Sequence, residues 1–261
     1  MAEMTSGPVS SQTAAFPWEP VRPFKALGAF RDLIKDKEDT RHVFRFFNAA
    51  QGRTGEEAFR RFCGSDFGRS VIADRQELAR KLMDRENLEK AGPGTFAAAY
   101  LHYLDAEGLN PLGVYEAAVA NNPEHYEILE RDYPEFAAFT WSMSLTHDLY
   151  HVLTSYSRDA LGEALLLVFT GVQTGSRGSR LLGAMGGLKI RSEIPRWPVG
   201  RMMRNAAAMA RAAAYLPTAD LTALFGLRLD EAREQLNITP DPLYREVRES
   251  WTGPEPIAVR A

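Results

Sequence analysis

The chain predicts an all-α fold, one multi-helix domain, on three observations. Alanine and leucine together number 62 while valine and isoleucine number 19, a balance that favours helix over strand. The long helix-favouring stretches are cut only by short breakers, none of linker length. No repeat of fixed period appears, which argues against a solenoid. Residues 1–22, dominated by Ser, Thr, Gly and Pro before any periodic pattern, read as a flexible tail. Residues 23–261 read as the helical domain. Helices are expected at about 23–35, 39–50, 55–63 and 69–83, then, past Gly92-Pro93-Gly94, at 95–107 and 111–120. Asn121-Asn122-Pro123 separates these from 123–131, which is followed by 134–156 and 158–172. Beyond the glycines of 175–178 comes 179–188, and beyond the prolines of 194–198 come 198–215, 218–225 and 229–236.

Composition narrows the class. With 45% hydrophobic and 25% charged residues among 261, the chain is ordinary globular protein, long enough for a sizeable core. The formal net charge of −3 supplies no positive excess for nucleic acid, so no nucleic-acid partner is expected. Cys63 is the single cysteine, which excludes an internal disulfide and a cysteine-based zinc ribbon and suits a reducing compartment. No apolar run approaches the roughly 18–20 residues of a membrane-spanning helix. The first twenty residues lack the basic and apolar regions of a signal peptide. The expected location is cytoplasmic.

The stretch 136–157, FAAFTWSMSLTHDLYHVLTSYS, holds one charged residue at neutral pH, Asp148. Apolar residues lie on nearly all sides, as in a helix buried within a domain. Against them Thr140, Ser144, His147, His151 and Ser155 form one polar stripe, which is either a short solvent-facing strip or a site. Glu163 is likewise the sole charge between Ala160 and Ser176. An ionised carboxylate in such surroundings costs several kcal/mol unless paired, metal-bound or protonated. No Lys or Arg is read as an obvious partner nearby in sequence, although a distant Arg could pair with it. His147 and His151 stand one helical turn apart, close enough for both imidazoles to reach one ion. On a straight helix Glu163 would lie about 18 Å further along the axis. Ser157, a plausible N-cap after Thr154-Ser155-Tyr156, marks where the chain can turn back and bring Glu163 to the histidines. Asp148 is then a candidate fourth ligand, a base or an acceptor to a ligand. Mixed N and O donors suit Zn²⁺, with Fe²⁺, Mn²⁺ and Mg²⁺ as alternatives. His42, His102 and His125 are read as ordinary surface or helix-end residues.

The pattern HDLYH, eleven residues, then Glu163 resembles the coenzyme Q biosynthesis protein four family, whose hallmark is H-D-x-x-H with a Glu after eleven residues. GTFAAAYLHYL is similar to that family's G-T-F-G-x-x-Y segment, with Ala97 in place of the last Gly, and SDFGRSVIADR is similar to its D-x-x-G-R segment. LGEALLLVFTGVQTG and LDEAREQLNI also resemble family segments, so the likeness runs over roughly 24–240. SRGSR after Gly175 departs from the more apolar, Pro-containing stretch expected there, which points to a diverged substrate preference. The resemblance implies an all-helical fold, a zinc-type ion held by His147, Asp148, His151 and Glu163, a polyprenyl-lipid ligand and peripheral attachment to a membrane. It implies oxidative decarboxylation of a ubiquinone precursor, the ring carboxyl at carbon 1 being replaced by hydroxyl. On this reading Asp148 is the catalytic candidate, ligating or moving a proton. The alternative it carries is a non-catalytic lipid-binding scaffold for the other quinone-biosynthesis enzymes. A metallophosphohydrolase reading, using His102 or His125 with Asp159, lacks the required spacing.

Charge is unevenly spread. Residues 164–219 carry eight basic side chains against Glu193, a local +7, while the remainder carries −10. Arg201, Arg204 and Arg211 share a helical face backed by Met202, Met203, Met209 and alanines, which resembles an interfacial helix. Attraction to an anionic membrane surface is the functional expectation, worth on the order of 1 kcal/mol per basic residue. A solvated basic face, or pairing within the protein, is the plainer one.

Overall fold

A computed structural model describes residues 16–18, 20–35 and 41–252. The chain forms α1 (Pro23–Lys35), α2 (Arg41–Ala50), α3 (Glu56–Gly64), α4 (Asp66–Ala73), α5 (Arg75–Met83), α6 (Arg85–Lys90), α7 (Phe96–Glu107), α8 (Gly113–Asn121) and α9 (Pro123–Asp132). It continues through α10 (Pro134–Leu145), α11 (His147–Thr154), α12 (Ala160–Gln173), α13 (Arg177–Glu193), α14 (Val199–Ala212), α15 (Leu229–Gln235) and α16 (Pro242–Ser250). Two 3₁₀ turns, Leu216–Thr218 and Leu221–Leu224, lie between α14 and α15 where one helix over 218–225 is expected. Among the described residues there is no strand, and the one bridge pairs Thr95 with Arg228.

Side-chain caps explain most of the divisions. The expected helix over 69–83 begins earlier and is two, because Ser65 accepts from the Gly68 amide and Asp74 from the Gln76 amide. Asp84 does the same for α6, a helix absent from the expected set, by accepting from the Asn87 amide. The stretch 134–156 divides at Thr146, whose hydroxyl donates to the Ser142 carbonyl at 2.9 Å. A threonine bonding back one turn competes with the ladder and bends it. Residues 179–188 extend at both ends, since Ser176 caps the Ser179 amide and α13 runs on to Glu193. The last helix, α16, was also not expected; Asp241 caps it and Pro242 opens it.

Of the expected tail over 1–22, residues 1–15 and 19 lie outside the described residues. Within the described part, Phe16 stacks on Phe136 at 3.8 Å between ring centroids and Trp18 meets the same ring edge-on. The start of the expected helix over 39–50 also lies outside.

Helix α12 occupies the middle of the domain and is buried over most of its length, including Gly162, Glu163, Leu165 and Phe169. It lies between α11, α13 and α14. Gly183 of α13 makes the close approach to α12 feasible, because a Cβ there would come within 2.8 Å of the Ala164 carbonyl oxygen. A second layer of α3, α4, α5, α8 and α9 surrounds α10. Arg75 ties this layer together by an ion pair to Glu130 at 2.6 Å, with the Tyr115 hydroxyl donating to the same carboxylate. A smaller cluster of Ala26, Ala29, Phe46, Ala49, Ala50 and Leu182 joins α1 and α2 to α13.

Candidate metal centre

The turn between α11 and α12 determines the site. Helix α11 ends at Ser155, in the left-handed region at φ 60°, an unusual conformation for a residue with a Cβ. Arg233 of α15 holds it there, donating to the carbonyls of Val152 and Leu153 at 2.8 and 2.9 Å and to the Ser155 hydroxyl at 2.6 Å. A cation on the last carbonyls of a helix both satisfies them and complements the helix dipole. Helix α12 then starts at Asp159, whose carboxylate accepts from the Leu161 and Gly162 amides. The residue expected to cap this helix was Ser157, and the cap is two residues later. The Ser157 amide instead donates to the hydroxyl of Tyr244, which in turn donates to Asp159 at 2.5 Å and so fastens α16 onto the start of α12. The chain passes so close to itself here that a Cβ on Gly162 would sit 2.0 Å from the Ser157 carbonyl oxygen.

This reversal brings Glu163 back to the two histidines. One ligand atom from each of His147, His151 and Glu163 lies within 4.8 Å of the others. The two Nε2 atoms are 3.2 Å apart, and Glu163 Oε1 is 3.6 Å from Nε2 of His151. Nδ1 of His151 lies 2.7 Å from the Tyr156 carbonyl oxygen. A carbonyl only accepts, so Nδ1 carries the proton and Nε2 presents a lone pair to the cluster. The second carboxylate oxygen of Glu163 is buried without a hydrogen-bond partner. Tyr103 of α7 stacks on the His151 ring at 5.4 Å, and its hydroxyl is likewise buried and unpartnered.

Electrostatics follow from the burial. Removal from water pushes the Glu163 carboxyl up to about 8, with Arg158 pulling it down and Asp148 pushing it further up. The same cause lifts Asp148 to about 6 and lowers His147 to about 4. His151 is held well below its ordinary value by burial and then by His147, against the Tyr156 carbonyl. Burial drives every group towards neutrality, while a ring nitrogen of each histidine and a carboxyl oxygen of Glu163 converge. A divalent cation would fit this donor set, taking a nitrogen from each imidazole and compensating the charge of Glu163.

Asp148 stands apart. It is buried on α11 next to His147, yet among the described residues it belongs to no convergent ligand group and has no hydrogen-bond partner. The remainder of the polar stripe also separates from the site, since Thr140 donates to the Ala137 carbonyl and Ser155 serves the end of α11. Sequence reasoning missed Tyr103, the Tyr156 carbonyl and Arg158. The tyrosines carry no charge signature in the sequence, whereas Arg158, five residues before Glu163, was visible there. Arg201, Arg204 and Arg211 are exposed on α14, but Met202, Ala206, Met209 and Ala210 of the same helix are packed into the core. Its apolar side is therefore covered by protein.

Comparison with known proteins agrees with this architecture. Residues 36–242 match the family model for coenzyme Q (ubiquinone) biosynthesis protein Coq4. Among curated proteins, the mitochondrial ubiquinone biosynthesis protein coq-4 of Caenorhabditis elegans is 25% identical over 173 residues, covering 66% of this chain and 70% of that protein. The mitochondrial Bos taurus homologue is 24% identical over 179 residues, covering 69% of this chain and 63% of its own length. A crystal structure from Nostoc punctiforme PCC 73102, of a candidate ubiquinone biosynthesis protein, superposes with a TM-score of 0.56 at 18% identity, covering 83% of this chain and 98% of that one, which shows likeness of fold. With the family matched over most of its length, the chain belongs to the Coq4 family of ubiquinone biosynthesis proteins.

Proposed function

We propose that this chain is a metal-dependent oxidative decarboxylase acting on a polyprenyl-hydroxybenzoate-type precursor of ubiquinone. The observation that carries the reading is the convergence of a ligand atom from each of His147, His151 and Glu163, the second oxygen of Glu163 being buried without a hydrogen-bond partner. His147, His151 and Glu163 would hold the ion, zinc on the chemistry of the donors, with Fe²⁺, Mn²⁺ and Mg²⁺ as alternatives. Bound there, the ion supplies Lewis acidity toward an oxygen of the substrate.

The protein's own residues do the rest. The Tyr156 carbonyl keeps His151 in the tautomer that offers Nε2. Asp148, lifted to about 6 by burial, is suited to exchange a proton near neutral pH. Overall the ring carboxyl leaves as CO₂, water supplies the hydroxyl oxygen, and two protons and two electrons pass to an acceptor, dioxygen being the first to test. The isoprenoid tail would lie among apolar helices, and the exposed Arg201, Arg204 and Arg211 would face an anionic membrane surface. Aerobic incubation of the metal-loaded protein with a prenylated 4-hydroxybenzoate, followed by mass spectrometry, tests this. Metal-dependent loss of CO₂ with gain of oxygen is the expected result. Unchanged lipid that copurifies with the protein would favour the scaffold reading instead.

A further inference from the structure

We infer that α13 docks this protein on an anionic lipid bilayer, with Leu181 and Leu188 entering the apolar layer and the arginines around them meeting the headgroups. This rests on the membrane reading of the basic region, which so far involves α14 alone. Leu181 and Leu188 are 47% and 64% exposed. They stand seven residues apart, two turns of helix, so they share one face, with Ala184 between them. Arg177, one turn before Leu181, and Arg191, one turn after Leu188, are exposed and put positive charge at both ends of that face. From 177 to 192 the helix carries no acidic residue, and Glu193, the first, is paired with Lys189 at 2.7 Å.

The two basic helices differ in what they have to insert. Helix α14 packs its apolar residues into the core and shows only its arginines. Helix α13 buries one set, Leu182, Gly183, Gly187 and Ile190, where it meets α12 and α14, and turns a second apolar set outward. The occupant follows from charge. A second copy laid on the same face by a twofold axis would set Arg177, Arg180 and Arg191 against their own equals. A bilayer with an anionic boundary and an apolar interior matches both kinds of side chain, because long arginines stay at headgroup level while the leucines go deeper. Arg177 and Arg180 come from SRGSR, the stretch that departs from the family pattern, so this part of the charge is particular to this chain.

The test is partition of the full chain onto vesicles of phosphatidylcholine alone and of phosphatidylcholine with about 30% phosphatidylglycerol. Leu181→Ser and Leu188→Ser together should weaken partition onto the anionic vesicles about tenfold or more, with helicity by circular dichroism unchanged. A bimane probe on Leu188→Cys, in a chain carrying Cys63→Ser, should be quenched by brominated lipid in the anionic vesicles. The same probe on Ile128→Cys, an exposed apolar position of α9, should not be. Unchanged partition of the double serine variant, or equal quenching at 188 and 128, would overturn the assignment to α13 and leave α14 as the membrane contact. A wild-type chain with no preference for the anionic vesicles would overturn the inference together with the membrane reading from which it starts.

Discussion

His151 donates from Nδ1 to the carbonyl oxygen of Tyr156, 2.7 Å away, across the turn that closes α11 onto α12. One bond therefore links the shape of the turn to the chemistry of the ring, since it leaves Nε2 free and aimed at His147 and Glu163. Interactions that hold this turn should be felt at the cluster of His147, His151 and Glu163.

Zinc should stabilise the chelated protein, because an ion that binds only the folded state shifts unfolding by mass action. At a free concentration about a hundred times Kd the gain is about 2.7 kcal/mol, hence a Tm rise of roughly 5–10 °C for a domain of this size. Glu163→Gln keeps the shape but loses the charge, so thermal melts with and without zinc should show that rise largely abolished. A full rise in the variant would remove Glu163 from the ligand set.

Arg233→Met should lower stability by about 2–3 kcal/mol, since it strips the charged donor from the Val152 and Leu153 carbonyls and leaves Ser155 in its left-handed conformation unsupported. Denaturant unfolding measures this. Gly162→Ala should do comparable harm for a different reason, the overlap of its Cβ with the Ser157 carbonyl, and should weaken zinc binding because α12 must move and carry Glu163 with it.

Cys63 should be a sluggish nucleophile. Burial, followed by the Glu135 carboxylate, raises its thiol from 9.0 to about 11. The thiolate is the reacting form, so at neutral pH alkylation should run about a hundredfold slower than for an ordinary cysteine and keep rising with pH until about 11. Iodoacetamide labelling followed by mass spectrometry across pH 7–11 gives the profile, and a plateau near 9 would contradict it.

Sedimentation with vesicles tests the basic face of α14. Recovery should be greater with anionic than with neutral lipid, should fall with salt, and should drop when Arg201, Arg204 and Arg211 are all changed to Gln. Equal recovery with both lipids would count against a membrane role for this face.

The helical class and the convergence of His147, His151 and Glu163 were legible because each left a signature along the chain. Alanine and leucine outnumber the β-branched residues, and charge is missing around His147, His151 and Glu163. A charged residue inside an apolar helix must be compensated, so its position alone points to chemistry. The turn between Thr154 and Ala160 was also foreseen, from its polar residues. Its actual supports were not, because Arg233 and Tyr244 lie more than seventy residues away and their pairing has no local trace. The break at Thr146 escaped for a related reason, as a threonine hydroxyl can face solvent or bond back to the preceding turn, and the sequence is the same in both cases. Asp148 is adjacent to His147 in sequence, but neighbouring residues on a helix point about 100° apart, and the group whose atoms converge within 4.8 Å is His147, His151 and Glu163.

The most direct measurement is the metal content of the purified protein after dialysis against zinc and then buffer, read by elemental mass spectrometry on wild type, His151→Ala and Glu163→Ala. One zinc per wild-type chain, with little left in either variant and helicity retained by circular dichroism, is what a centre built from His147, His151 and Glu163 predicts. One zinc per chain in folded His151→Ala or Glu163→Ala would contradict it.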